Sequence, residues 1–288
     1  MEKLPDDILF VRGDIRDRDS LTALFKEFRF STVINLAGLK FPEESFEKKD
    51  EYFEVNAHAV ASLLEISKQF GVSVFIQSSS SSVYGNSTGS RFYESSIRNP
   101  ISPYGESKKL AETYVSEMLA GTSTRGISLR YFNVVGALDK SLQDSSIFNV
   151  FPKTIDRVNK GEPPIIFGTK YPTPDGTCIR DYIHVTDLAK AHIFALHAVE
   201  KEMISDIYNV GSGRGYSVKE VMDEVSSAIG KDLDPILAIR RPGDSPKLIA
   251  SIDKIGKELG WKPDETFETG LEKTINWYLS NEEWVQRC

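Results

Sequence analysis

The chain has 288 residues, room for one large α/β unit or two modest domains. Its 40% apolar and 27% charged residues are those of a soluble globular protein, and a net charge of -7 without a basic cluster argues against nucleic acid or an anionic membrane surface as partner. No apolar run nears the ~18 residues of a membrane helix, Met1 to Asp7 lack the features of a signal peptide, and two cysteines, Cys178 and Cys288, make no disulfide framework, which fits a reducing cytoplasm.

Along the chain, Ile8-Leu9-Phe10-Val11 is a short apolar run before the turn Arg12-Gly13-Asp14-Ile15, and predicts a strand. Leu21, Leu24, Phe25 and Phe28 recur at helical spacing. Thr32 to Leu36 reads as a buried strand ending in the small residues Ala37 and Gly38. A long helix is expected over Tyr52 to Phe70, with Val55, Ala59, Leu63, Leu64 and Ile66 on its apolar side. Ser73-Val74-Phe75-Ile76 reads as a parallel strand buried on both faces, and Ile127 to Gly136 as another. Strands alternating with helices predict a parallel sheet with right-handed crossovers. After Gly136 the rhythm changes. A helix over 149–158, a short strand at Ile165-Ile166-Phe167-Gly168 and a turn-rich Tyr171 to Gly176 follow. Then come Tyr182-Ile183-His184-Val185, a helix capped by Thr186 or Asp187, and a strand over 207–211. Ser217 with Glu220 forms a capping box for a helix to about Ile229. The tail holds Arg240-Arg241 and a last helix rich in Trp and Leu. A boundary near Asn133 divides the chain into parts 1–133 and 134–288.

The most informative stretch runs from Ser78 to Lys108. Five serines, Ser78 to Ser82, follow the buried strand, at the carboxyl end where open α/β sheets place their ligands. Ser102-Pro103 opens a helix that carries Tyr104 and Lys108 four residues apart on one face. A free tyrosine has a pKa near ~10; a neighbouring ammonium favours the phenolate, so Tyr104 could exchange a proton with a substrate hydroxyl. A serine hydroxyl at the strand end could share that proton. This is equipment for oxidising an alcohol, given a hydride acceptor. With 11 tyrosines a Tyr-x-x-x-Lys pair arises by chance about once, so the weight lies in the whole constellation. The four histidines, His58, His184, His192 and His197, show no metal-ligand spacing.

These residues, with Val33 to Lys40, Val83-Tyr84-Gly85, Arg130-Tyr131-Phe132-Asn133, Ile166-Phe167-Gly168, Arg180 to Val185 and Arg240-Arg241, resemble in kind and order the UDP-glucose 4-epimerases of the extended short-chain dehydrogenase/reductase group. The resemblance implies an NAD-binding Rossmann domain over 1–133 and a smaller mixed α/β domain for a UDP-hexose over 134–288. It implies Tyr104 as base, with Ser80 and Lys108 as its partners. Asp14, Ile15, Leu36, Ala37, Gly38, Lys40, Asn56 and Phe132 would contact NAD together with Tyr104 and Lys108. Ser80, Asn133, Asn149, Phe167, Arg180, Tyr182, Arg241 and Asp244 would contact substrate, the arginines because planar guanidinium forks suit phosphate oxygens. The implied reaction oxidises C4 of the sugar to a ketone and reduces it from the other face. It belongs to galactose metabolism, in a homodimer built across the two long helices.

The family opens with a strand, a Gly-x-x-Gly-x-x-Gly turn, a helix and a second strand. No such glycine pattern precedes Ile8. The expected fold is therefore α/β, a Rossmann-type parallel sheet lacking its first strand–helix–strand unit, and a truncated nucleotide-sugar binder is the competing reading. A 4,6-dehydratase or decarboxylase is disfavoured, because Ser81 and Ser82 stand where dehydratases place Asp-Glu. Leu248, of intermediate size, leaves UDP-GlcNAc/GalNAc as alternative substrates.

Overall fold

The computed structural model describes residues 7–86, 89–136, 150–202, 206–241 and 244–279. Helix α1 (Arg18–Glu27) opens on Asp17, whose carboxylate accepts from the Ser20 amide at 3.0 Å. Strand β1 (Thr32–Asn35) follows. The helix expected from Tyr52 is three pieces: α2 (Lys49–Phe53), a π-helical turn (Glu54–His58) and α3 (Ala59–Gln69). A π turn inserts an extra residue and re-aims the side chains within it, which is why such turns gather at functional sites. This one holds Asn56, fully buried. Strand β2 (Val74–Ser80) is buried along its whole length and takes Ser78 to Ser80 as strand. Helix α4 (Pro103–Met118) begins where its cap predicts, with Ser102 Oγ accepting from the Gly105 amide at 3.2 Å.

The apolar run over 127–136 divides at Phe132 into β3 (Arg125–Tyr131) and β4 (Asn133–Val135). After it come α5 (Val150–Asn159), β5 (Ile165–Phe167), β6 (Ile179–Arg180), β7 (Tyr182–His184), α6 (Val185–Glu202) and β8 (Asp206–Val210). The rest is β9 (Tyr216–Ser217), α7 (Val218–Ile229), β10 (Ile236–Ala238), β11 (Lys247–Leu248), α8 (Asp253–Leu259) and α9 (Phe267–Leu279). The Ser217–Glu220 capping box of α7 forms as expected. At α6 the cap differs: the helix begins at Val185, and Asp187 instead accepts from the amides of Asp264 and Glu265 at 3.1 and 2.9 Å, holding the approach to α9.

The main sheet is parallel, in the order β1-β2-β3-β8. Its fourth strand comes from beyond the boundary drawn at Asn133, so the second part of the chain returns to complete the first. One face packs Val74, Ile76, Ile127 and Leu129 against Leu188 and Ala191 of α6, Ile255 of α8 and Trp261. The other face packs Phe75 against Leu63 and Leu64 of α3 and Ala111 and Val115 of α4. Covered on both sides, β2 and β3 are apolar at Val74-Phe75-Ile76 and at Ile127 and Leu129, and turn polar toward their carboxyl ends. Strand β4 leaves the sheet to pair with β7. Ile8 to Val11 forms no strand, and all four side chains are more than half exposed. An apolar run becomes a strand only where a neighbour takes its hydrogen bonds, and no strand among the described residues pairs with it.

Candidate active site

The sheet and α4 bring Tyr104, Lys108 and Ser80 together, each no more than 8% exposed. Lys108 Nζ donates to the Ser78 carbonyl at 3.1 Å and lies 3.5 Å from Ser78 Oγ. Burial pushes the Tyr104 pKa up, and a hydrogen bond with Ser80 works against that rise. Burial pulls Lys108 down to about 8, and the nearby Glu112 carboxylate works against that fall. The lowering of Tyr104 by Lys108 expected from their spacing is not found. Burial is the larger influence on the phenol, and the ammonium is turned to Ser78.

The loop after β1 reaches the same place. Asn56, aimed by the π turn, accepts from the Leu39 amide at 2.8 Å and donates to the Leu39 carbonyl at 3.0 Å and to Ser107 Oγ at 3.2 Å. Gly38 is the point of closest approach. A Cβ there would lie 2.9 Å from Asn56 Oδ1 and 3.2 Å from Lys108 Nζ. Ala37 is fixed by its amide bond to Asn35 Oδ1 at 3.2 Å, and Leu36 is 63% exposed. A backbone cradle without room for a Cβ, a buried ammonium and strand-end hydroxyls fit the nicotinamide-ribose end of NAD. Lys40 Nζ lies 5.6 Å from the Phe41 ring centroid. Asp14 is forked by Arg16 at 2.6 and 3.0 Å on the surface, and this bond holds its carboxyl at about 2. Its partner is thus Arg16, and Ile15 packs against the cluster around Phe25. Phe132 is a core residue, packed with Tyr84, Phe92 and Leu248.

Six of the eight expected substrate residues line one cleft: Asn133, Phe167, Arg180, Tyr182, Arg241 and Asp244. Ser80 lies with Tyr104, and Asn149 falls outside the described residues. Arg180 donates to Asp244 Oδ1 at 3.2 Å and to the Ser245 carbonyl at 2.8 Å. The Arg241 guanidinium stands 4.5 Å from the Phe167 ring centroid and bonds Glu43 at 2.9 Å, linking the cleft to the segment after β1. Lys153, Arg157, Cys178 and Met222 also line the cleft and were not anticipated. Lys153 Nζ lies 5.2 Å from the same ring, its pKa pulled down by burial and by Arg241. The cleft lining carries four cations, Lys153, Arg157, Arg180 and Arg241, and one carboxylate, Asp244, with Glu43 and Glu162 pairing Arg241 and Arg157 from outside it at 2.9 and 3.2 Å. Among the described residues no group of His, Cys, Asp or Glu is placed to hold a metal ion. His192 instead bridges the Leu188 carbonyl and the Tyr131 hydroxyl.

Residues 2–211 match the family model described as "NAD dependent epimerase/dehydratase family". The UDP-glucose 4-epimerase of Azospirillum brasilense is 36% identical over 289 residues, covering 99% of this chain and 83% of that protein. Among solved structures, the UDP-glucose-4-epimerase from Stenotrophomonas maltophila with bound NAD and formylated UDP-arabinopyranose superposes with a TM-score of 0.89 at 33% identity, covering 96% of this chain and 84% of that one. The Bifidobacterium longum UDP-glucose 4-epimerase in complex with NAD+ and UDP gives 0.85 at 36% identity, covering 94% and 83%.

Proposed function

The chain belongs to the NAD dependent epimerase/dehydratase family, and from that premise we propose that it interconverts UDP-glucose and UDP-galactose with Tyr104, Ser80 and Lys108 as the reacting group. The reading rests on one observation: the hydrogen-bonded Tyr104 and Ser80 hydroxyls stand at the strand ends beside the Gly38 cradle, in a molecule that also holds a cationic cleft. Bound NAD supplies the acceptor and the donor of the C4 hydride. The remaining work falls to the chain. With its phenol ionised, a form that the positive charge of bound NAD+ would favour, Tyr104 Oη would take the proton of the C4 hydroxyl and return it after the sugar has turned, with Ser80 sharing that proton. Lys108 and Asn56 hold the cofactor side of the site. Arg180 and Arg241 bind the diphosphate, Asn133 and Tyr182 hold the sugar nucleotide, and Phe167 lies against the base. A nucleotide-sugar binder without catalytic activity is the competing reading, and the 4,6-dehydratase has no acid at Ser81 or Ser82.

A homodimer across α3 and α4, resting on the family resemblance alone, belongs to the same proposal. So does a cytoplasmic location, supported by the free thiol of Cys178; no helix among the described residues is long and apolar enough to cross a membrane. The direct test gives the purified chain UDP-galactose and measures UDP-glucose, with NAD quantified after acid extraction. Conversion with NAD near one per chain is expected. NAD-free, folded and inert protein would leave only the sugar-nucleotide binder. Leu248 packs into the core cluster of Phe92 and Phe132, so selectivity for N-acetylated sugars is read by offering UDP-GlcNAc in parallel.

A further inference from the structure

We propose that Glu112 is a positioning residue for the Tyr104–Lys108 pair, locking α4 onto the end of β2 through Ser79 and Arg130. The proposal rests on the assignment of Tyr104 and Lys108 above. Glu112 lies on α4 one turn beyond Lys108 and two beyond Tyr104, facing the sheet, where an apolar residue would pack without desolvating a charge. Its side chain is fully buried and fully bonded. Ser79 Oγ donates to it at 2.5 Å, Arg130 Nε and Nη2 at 2.8 and 2.7 Å, and Arg98 Nη1 at 3.0 Å.

Three consecutive serines of β2 are thereby tied to three residues of one helix: Ser78 to Lys108, Ser79 to Glu112 and Ser80 to Tyr104. The outer two ties belong to the reacting group. The middle one is the anchor, because Arg130 stands opposite Ser79 in the β2–β3 register and is itself 1% exposed. Arg130 Nη1 also donates to the Tyr84 hydroxyl at 2.8 Å and to the Glu94 carbonyl at 3.1 Å. Tyr84 passes the network to Asn209 of β8 at 2.6 Å. A fork of two bonds from a rigid guanidinium fixes the carboxylate in direction as well as distance. A slide of α4 along β2 would break it and would carry Tyr104 away from Ser80. Buried ion pairs are often no more stabilising than apolar pairs of the same volume, so the geometry points to placement of the helix as the function of this one.

The test uses the holoprotein and three variants. Ser79→Ala removes the bond between Glu112 and β2, Glu112→Gln removes the charge, and Glu112→Met with Arg130→Met replaces the pair by apolar groups. Positioning predicts that Ser79→Ala melts close to the parent yet loses about tenfold in kcat for UDP-galactose, with KM within twofold. The double methionine variant is expected to fold and to lose kcat more than a hundredfold. In Glu112→Gln the titration midpoint of Lys108, read by NMR of isotopically labelled lysine, moves to lower pH than in the parent. A double variant that folds and keeps kcat within threefold would overturn the proposal. So would an unmoved Lys108 midpoint in Glu112→Gln, a readout that stands even if the parent converts no UDP-sugar and the functional reading fails.

Discussion

Lys108 is buried as an ammonium that, among the described residues, donates to Ser78 alone, and burial has pulled its pKa from 10.5 down to about 8. Folding therefore strips a proton from it between pH 8 and 10.5, and the penalty for burying its charge is fully present below pH 8 and relieved as pH rises through that window. With NAD removed, Lys108→Met should be more stable than the parent at pH 7 by about 1–3 kcal/mol, with the gain vanishing above about pH 10.5. Urea melts at several pH values measure this, and a less stable variant at pH 7 would contradict it. The same variant should lose epimerase activity, which places the cost of the charge on function. Tyr104→Phe deletes one hydroxyl from a packed ring. It should lower kcat by about 10²–10⁴-fold with little change in melting temperature, as steady-state kinetics beside a thermal scan would show.

Among the elements, β2 and α4 were legible in the sequence because everything that defines them is local. The apolar run, the Ser102-Pro103 cap and the four-residue spacing of Tyr104 and Lys108 lie within one stretch of chain. The π turn was not legible, because its hydrogen-bond shift is dictated by where Asn56 must reach, and Leu39 is 17 residues away. The break at Phe132 was hidden for a similar reason: β3 and β4 share one apolar pattern, and only their partners, β8 and β7, differ. Ile8 to Val11 has the composition of a strand but no strand beside it among the described residues. Glu112 did leave a signal, since Tyr104, Lys108 and Glu112 step along one helical face, and a carboxylate on a sheet-facing stripe needs a buried partner. The β1 loop and the π turn meet at Gly38. Gly38→Ala should therefore displace Asn56 or Lys108 and leave the chain with a small fraction of the parent's NAD content, while the overall fold, followed by circular dichroism, is kept. Full NAD content in that variant would remove Gly38 from the cofactor site.

Across the whole molecule, the cleft and the reacting group are built from different parts of the chain. Arg241 reaches Glu43 over 198 positions, and β8 returns to a sheet begun by β1. Such long-range closure explains why the resemblance named Phe167, Arg180 and Arg241 while Lys153, Arg157 and Met222 went unseen: their common cleft exists only after folding. The separation also makes the two ligands separable. Arg180→Ala should raise the dissociation constant for UDP about tenfold or more, the loss of one charge-assisted phosphate contact, without changing NAD content. Isothermal titration with UDP, beside acid extraction of NAD, would show it, and loss of both ligands together would mean that Arg180 holds the fold instead. In the proposed reaction the C4 hydrogen leaves and returns within one site. UDP-galactose deuterated at C4, incubated with the NAD-loaded chain in ordinary water, tests it in a single NMR spectrum. UDP-glucose that keeps deuterium at C4 is the predicted result; no conversion by folded, NAD-loaded protein, or deuterium lost to solvent, would contradict it.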